Sequence, residues 1–377
     1  MRRHTKWIIA ELIPILALIA ACASPPQSAE RAGPPDRTLS ITMAAALKVK
    51  NIWHPGMLQL GINVYWVANQ QDSAAVISAK ARRIINYAIS LNANSITLSF
   101  PFYTYGITSN KLYASISTPP PAHVALFLAQ AAKSDVRVTL RPILNEDVLV
   151  AQNPIAWRGS IEPTSRAAWF QSYQRLLKPY AAAAQGHAAT FVIGTELVSL
   201  EGDSHWPKLI RSIRSVFRGQ LSYDENYVQY ERDDTGLPLP GFDVDAYPRF
   251  KLPDSATVGR VTKAWELWLD AHSLAVRKKT ILSEVGIIAV AGAYSDPGEW
   301  LGVQQLPAMP SVQANWYDAA CKAVQKEHIG GLYWWDVNFD ADPADPAPFQ
   351  SDKITFLGRP AQQQVESCFA RLAGSHV

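Results

Sequence analysis

The stretch "ATFVIGTELVSLEGDSHWPKLIRSIRSVF" (189–217) holds a strand, a turn and a helix in one line. Phe191-Val192-Ile193 is a continuous apolar, β-rich run, the pattern of a strand covered on both faces. From Trp206 the pattern becomes that of an amphipathic helix. Between them the apolar run stops on Thr195 and Glu196. A carboxylate there costs free energy to desolvate unless it is paired or faces a solvated cleft.

The same unit recurs along the chain. Strand-like runs are read at "GINVYWV" (61–67), "SITLSF" (95–100), "VRVTLRPIL" (136–144) and "ATFVIGTEL" (189–197). Four more are read at "QLSYDENY" (220–227), "FDVDAYP" (242–248), "KTILSEVGI" (279–287) and "GGLYWWDVNF" (330–339). Amphipathic helices are read at 73–92, 121–134, 165–184, 206–217, 257–276, 311–327 and 360–372. Eight buried strands with crossover helices predict an α/β fold, a (β/α)8 TIM barrel. A doubly wound sheet is disfavoured, because Val67-Ala68-Asn69-Gln70-Gln71 after the first strand is no glycine-rich dinucleotide turn.

Barrel chemistry sits at the C-terminal ends of the strands. Asn63, Tyr65 and Trp66 stand there on the first strand, and Phe100, Phe102, Tyr103 and Tyr105 on the second. The third offers Arg141 and Asn145, the fourth Thr195 and Glu196, and the fifth Tyr223, Asp224, Glu225, Asn226 and Tyr227. Asp245 and Tyr247 follow on the sixth, Glu284 on the seventh, and Trp334, Trp335, Asp336 and Asn338 on the eighth. The mouth is therefore aromatic and carboxylate-bearing. Glu196 and Glu284 form the candidate catalytic pair: one carboxyl donates a proton to a leaving oxygen while the other attacks as an anion. Inward reach from the fourth and seventh strands would bring them to about 5.5 Å, the retaining spacing.

Acids at these two strand ends resemble clan A of the barrel glycoside hydrolases. More narrowly, "GINVYW", "RPILN", "VIGTEL", "YDENY", "ILSEVGI" and "GLYWWDVNF" resemble glycoside hydrolase family 113, whose founding activity is β-1,4-mannanase. The likeness runs from about residue 60 to 340. It implies that Glu196 is the acid/base and Glu284 the nucleophile, that Tyr247 hydrogen-bonds the nucleophile, and that Arg141 sits beneath both acids. It also implies sugar contacts from Trp66 and Asn226 and a platform from Trp334 or Trp335, with Asn145 and Thr195 lining the substrate site. Most clan members carry Asn where Thr195 stands, and acids occupy 224 and 225 where the family tends to small residues. The substrate is expected to be a β-linked polysaccharide or oligosaccharide. A non-catalytic glycan-binding lipoprotein of envelope or exopolysaccharide assembly is the alternative.

Other chemistries lack their motifs. There is no HExxH, no zinc-type Cys/His spacing, no P-loop and no G-x-S-x-G, so neither metal nor cofactor is expected. "DADPADP" (340–346) lacks the glycine and spacing of a calcium loop and reads as a solvated turn. Glu201 reads as a rim residue. The long segments 101–120 and 288–310 are placed to wall off one end of a cleft.

The N-terminus has a separate purpose. "MRRHTK", an apolar "LIPILALIAA" and Cys22 after Ile19-Ala20-Ala21 form a secretion signal resembling a bacterial lipobox. Residues 1–21 are then removed, Cys22 is lipidated, residues 22–55 form a tether, and 56–377 form the glycosidase domain. Ala23 in place of Asp points to the outer membrane of a two-membrane cell. Losing Arg2, Arg3, Lys6 and Glu11 lowers the formal charge from +3 to +1, so nothing argues for nucleic acid. A monomer with a carbohydrate substrate and a membrane lipid anchor is expected. The remaining cysteines, Cys321 and Cys368, are either bridged or two buried thiols.

Overall fold

The computed structural model describes residues 43–232, 237, 239, 243–299 and 305–376. The expected signal, Cys22 and the tether as far as residue 42 lie outside the described residues. The strands are β1 (Gln59–Tyr65), β2 (Ser95–Thr104), β3 (Leu112–Tyr113), β4 (Arg137–Leu144), β5 (Thr190–Thr195), β6 (Gln220–Asn226), β7 (Asp243–Asp245), β8 (Ile281–Val285) and β9 (Gly331–Asn338). Eight of them, all but β3, pair in parallel in the order β1-β9-β8-β7-β6-β5-β4-β2, and β1 closes the ring on β2. This is the (β/α)8 barrel. The two-residue β3 pairs antiparallel with the end of β2, Tyr103 opposite Tyr113.

The helices are α1 (Ala74–Ser90), α2 (Pro121–Ala132), α3 (Asp147–Gln152), α4 (Arg166–Ala184), α5 (Trp206–Arg214), α6 (Tyr227–Glu231), α7 (Val258–Leu269), α8 (Leu274–Arg277), α9 (Pro310–Lys326) and α10 (Pro360–Leu372). The single helix expected over 257–276 is two pieces. Ser273 starts the second by accepting a hydrogen bond from the Val276 amide, a local N-cap that breaks the run. Cys321 on α9 and Cys368 on α10 form a disulfide, with Cα atoms 5.9 Å apart.

Part of the segment expected as tether is docked on the barrel. Val49 is buried and its amide bonds to the Ser134 carbonyl, and Asn86 brackets the strip by bonding both Leu47 N and Ala45 O. Residues 45–49 are therefore held against α1 and the turn after α2. The "DADPADP" loop is likewise tied down: Lys80 contacts Asp340 at 2.9 Å and Arg83 lies 3.7 Å from Asp342.

Apolar side chains on the outer face of the barrel, such as Ile62 and Val64 on β1 and Phe191 and Ile193 on β5, are buried against the helices. Each contributes on the order of 1.5–3 kcal/mol. The lower interior is polar, and Thr97, Thr139, Thr190, Gln220, Asp243 and Ser283 line a small cavity there. At Gly61 an added Cβ would lie 2.0 Å from the Tyr333 ring, so only glycine lets that ring fill the barrel.

Register breaks decide what reaches the top. Val192 pairs Ser222 but Thr195 pairs Asp224, so three steps on β5 match two on β6. On β8, Val244 faces Leu282 while Asp245 faces Glu284, leaving Ser283 as the extra residue. On β9, Ile62 faces Trp334 and Val64 faces Val337. Such bulges re-aim side chains next to active sites.

Candidate active site

The bulge on β8 carries Glu284 onto the inward face. Ile281 and Ser283 line the interior, so strict alternation would turn Glu284 outward. The extra residue reverses that, and Asn63 Nδ2 holds the bulge by donating to the Ser283 carbonyl at 2.9 Å. Glu284 Oε1 accepts from Arg141 Nη1, and Oε2 accepts from the Tyr247 hydroxyl at 2.6 Å.

Arg141, fully buried on β4, is the hub. Its Nη2 donates to Asp245 Oδ2 at 2.7 Å and its Nε makes a 2.5 Å ion contact with Asp224 Oδ2. One guanidinium thus faces three buried carboxylates, Asp224, Asp245 and Glu284. Three anions around one cation in a dry site repel one another, so some must hold a proton. Burial first pushes Asp224 up to about 8, against Arg141, with Asp243 and Glu284 adding to the rise. Burial also raises Asp245 well above the carboxylate range, against the same Arg141.

Glu196 is placed by its backbone. Its φ is 51°, the left-handed region that non-glycine residues seldom adopt, and its amide donates to the Asp224 carbonyl at 2.8 Å. The turn swings the carboxyl over the mouth. Gly194, just before it, leaves room for the Tyr223 ring, since a Cβ there would come within 2.9 Å of that ring. Glu196 Oε1 accepts from Asn226 Nδ2 at 2.7 Å, and Oε2 accepts from Arg158 Nη1 at 2.9 Å. Burial pushes its pKa up to about 7; Arg158 and Asn226 oppose the rise, and Glu284 and Glu146 add to it. Glu284 is thus close enough to act on Glu196 electrostatically.

Arg158 has no counterpart in the sequence reading. It lies in a one-turn 3-10 segment, Arg158–Ser160, well after β4. Its amide bonds Glu146 Oε1 at 3.0 Å and its Nε bonds the Leu144 carbonyl at 3.1 Å. Nothing in "NPIAWRGS" marks it, because the pairing depends on how that loop folds back. Glu201, expected at the rim, is instead a clamp. It accepts from the Tyr223 hydroxyl at 2.7 Å and from Gln229 at 2.9 Å, and Tyr223 in turn accepts from the Leu197 amide. It therefore steadies the turn next to Glu196.

The remaining expected contacts divide by face. Trp335 stands in the mouth, 5.7 Å from the Arg141 guanidinium and edge-on to Tyr65 at 5.8 Å. Trp334 does not: it is fully buried and stacked on Tyr317 at 4.4 Å, behind the barrel wall. Trp66 is also corrected. It shares the outward face of Ile62 and Val64, is 1% exposed and stacks on Phe339 at 4.2 Å, so its ring offers no face to a sugar. Asn226 caps α6 through its Oδ1, and Asn145 Oδ1 accepts the Asp147 amide while its side chain also bonds the Tyr65 hydroxyl. Thr195 is buried, and its Oγ1 has no hydrogen-bond partner among the described residues.

The model of Glycoside Hydrolase Family 113 matches residues 66–355. A solved GH113 β-1,4-mannanase complex superposes with a TM-score of 0.69 at 17% identity, covering 83% of this chain and 99% of that one. A GH113 β-mannanase from Alicyclobacillus acidocaldarius in complex with ManMIm gives 0.67 at 20% identity, with coverage of 84% and 98%. A family 5 subfamily 18 protein from Streptomyces cattleya, in complex with Manβ1-4GlcNAc, gives 0.54 at 12% identity, with coverage of 84% and 81%. No curated protein matches the sequence.

Proposed function

The chain belongs to glycoside hydrolase family 113, and we propose that it cleaves β-1,4-linked mannan-like chains with retention, Glu196 serving as acid/base and Glu284 as nucleophile. The observation that carries this reading is the division of the two carboxyls by their surroundings. Glu284 is held by the fully buried Arg141 guanidinium and the Tyr247 hydroxyl, whereas burial pushes Glu196 up to about 7, where a general acid still holds its proton near neutrality. In the first step a Glu284 oxygen bonds to the anomeric carbon, the glycosidic C–O bond breaks, and Glu196 gives its proton to the leaving oxygen. In the second, Glu196 takes a proton from water, the water oxygen bonds to the anomeric carbon, and Glu284 is released as carboxylate. Trp335 is the platform beneath the sugar, and Asn226 orients Glu196. Mannan as substrate is supported by the two GH113 mannanases whose fold the chain shares.

We further propose that Cys22 carries the lipid that holds this enzyme at the cell envelope, on the outer membrane where the cell has two; "LIPILALIAAC" supports it. Incubation with a 2-deoxy-2-fluoro-mannosyl donor followed by peptide mapping should place the label on Glu284. A Glu284→Ala enzyme that keeps its turnover would sink the assignment.

A further inference from the structure

We propose that Tyr103, Tyr113 and Tyr105 form a ledge beyond the mouth that stacks a remote sugar ring of the same β-linked chain whose scissile bond lies at Glu196 and Glu284. This inference rests on the reading of the substrate given above.

The aromatic surface is continuous with the catalytic mouth. Trp335 meets Tyr65 edge-on at 5.8 Å. Tyr103 shares the inward face of β2 with Thr97, which lines the barrel interior, and lies close enough to Tyr65 to act on its hydroxyl electrostatically. From there two stacked contacts lead outward, Tyr103 on Tyr113 at 5.7 Å and Tyr113 on Tyr105 at 4.5 Å, with ring planes within 28° of parallel. Tyr105 ends the stack and is 60% exposed, so one face of its ring is open to solvent.

The ledge is also rigid. Gln152 Nε2 donates to the Tyr105 carbonyl at 2.8 Å. Beyond it, the Glu162 and Thr164 amides donate to the Ile107 and Thr108 carbonyls at 2.9 and 3.1 Å. An exposed aromatic ring held this firmly has prepaid the ordering that binding otherwise costs. Its negative face suits the apolar C–H face of a β-linked pyranose, whose hydrogens carry slight positive charge. Equatorial linkages keep successive rings extended, so a chain gripped at Trp335 can reach a ledge farther along the same aromatic line.

The test compares wild type, Tyr105→Ala and Tyr105→Phe on β-1,4-mannotriose and β-1,4-mannohexaose. In Tyr105→Ala, kcat/KM on the hexaose should fall relative to the triose by roughly three- to tenfold, carried by KM, with Tyr105→Phe behaving as wild type. An equal fall on both lengths, or none on either, overturns the ledge. If the wild type cleaves neither, the mannan reading fails separately. The ledge is then judged by affinity electrophoresis in gels cast with galactomannan, xylan, β-glucan or galactan. Retardation of wild type and Tyr105→Phe but not of Tyr105→Ala supports it; equal mobility of all three overturns it.

Discussion

Removing the Arg158 guanidinium should move the acid/base titration upward. Its Nη1 lies 2.9 Å from Glu196 Oε2. At an effective dielectric of about 20 two unit charges at that distance attract by about 6 kcal/mol, an upper bound that desolvation and the competing Glu146 reduce. Opposite charges in such contact typically shift a carboxyl by about 1–3 units, and we take about 1.5 here. The sign follows from the pair: Arg158 stabilises the anion, so its loss favours the protonated acid. The basic limb of kcat/KM, which reports the free enzyme's acid, should then rise from about 7 to roughly 8.5 in Arg158→Met. At pH 8 the protonated fraction would climb from about a tenth to about three quarters. The fold should tolerate the change, since Glu146 is partly exposed and keeps its bond to the backbone amide of residue 158. The assay is kcat/KM on β-1,4-mannohexaose from pH 5 to 10, each profile normalised to its own maximum. A basic limb that stays near 7, or moves down, refutes the reasoning.

Tyr247→Phe removes a 2.6 Å hydrogen bond to Glu284; if a charge-assisted bond of about 1.5–3 kcal/mol is lost from the transition state, kcat should fall about 10- to 150-fold. The adjacent tryptophans should separate cleanly. Trp334→Ala empties a fully buried site against Tyr317 and should cost about 3–5 kcal/mol in chemical denaturation, whereas Trp335→Ala should lower kcat/KM and leave stability nearly intact. Comparable destabilisation by both would contradict the faces assigned to them. Reduction of Cys321–Cys368, which closes a separation of 47 residues, should lower unfolding stability by about 2–4 kcal/mol, read from urea titrations with and without reductant.

Much of this was legible in the chain. The alternation of apolar strand runs with amphipathic helices is a local property, and it sufficed for the barrel and for locating its mouth. Glu196 and Glu284 stood out because each ends such a run, and Arg141 and Tyr247 because they occupy strand ends too. Face was less legible. Trp66 and Trp334 sit at strand ends as surely as Trp335, yet both point outward into the helical layer.

Sequence by itself determined which segments are strands, how many close the barrel and which polar residues arrive at its rim. Period-two alternation reports relative facing within one strand, and no further. Tertiary structure decided which face wins, because the extra residues in β5, β8 and β9 are set by hydrogen bonding to neighbouring strands. It alone brought Arg158 to Glu196 across 38 residues, since an ion pair between a loop and a strand end leaves no period in the chain. It also turned Glu196 into the left-handed region, a conformation that the neighbouring contacts of Asp224, Asn226 and Arg158 hold and that the residue's own preference does not.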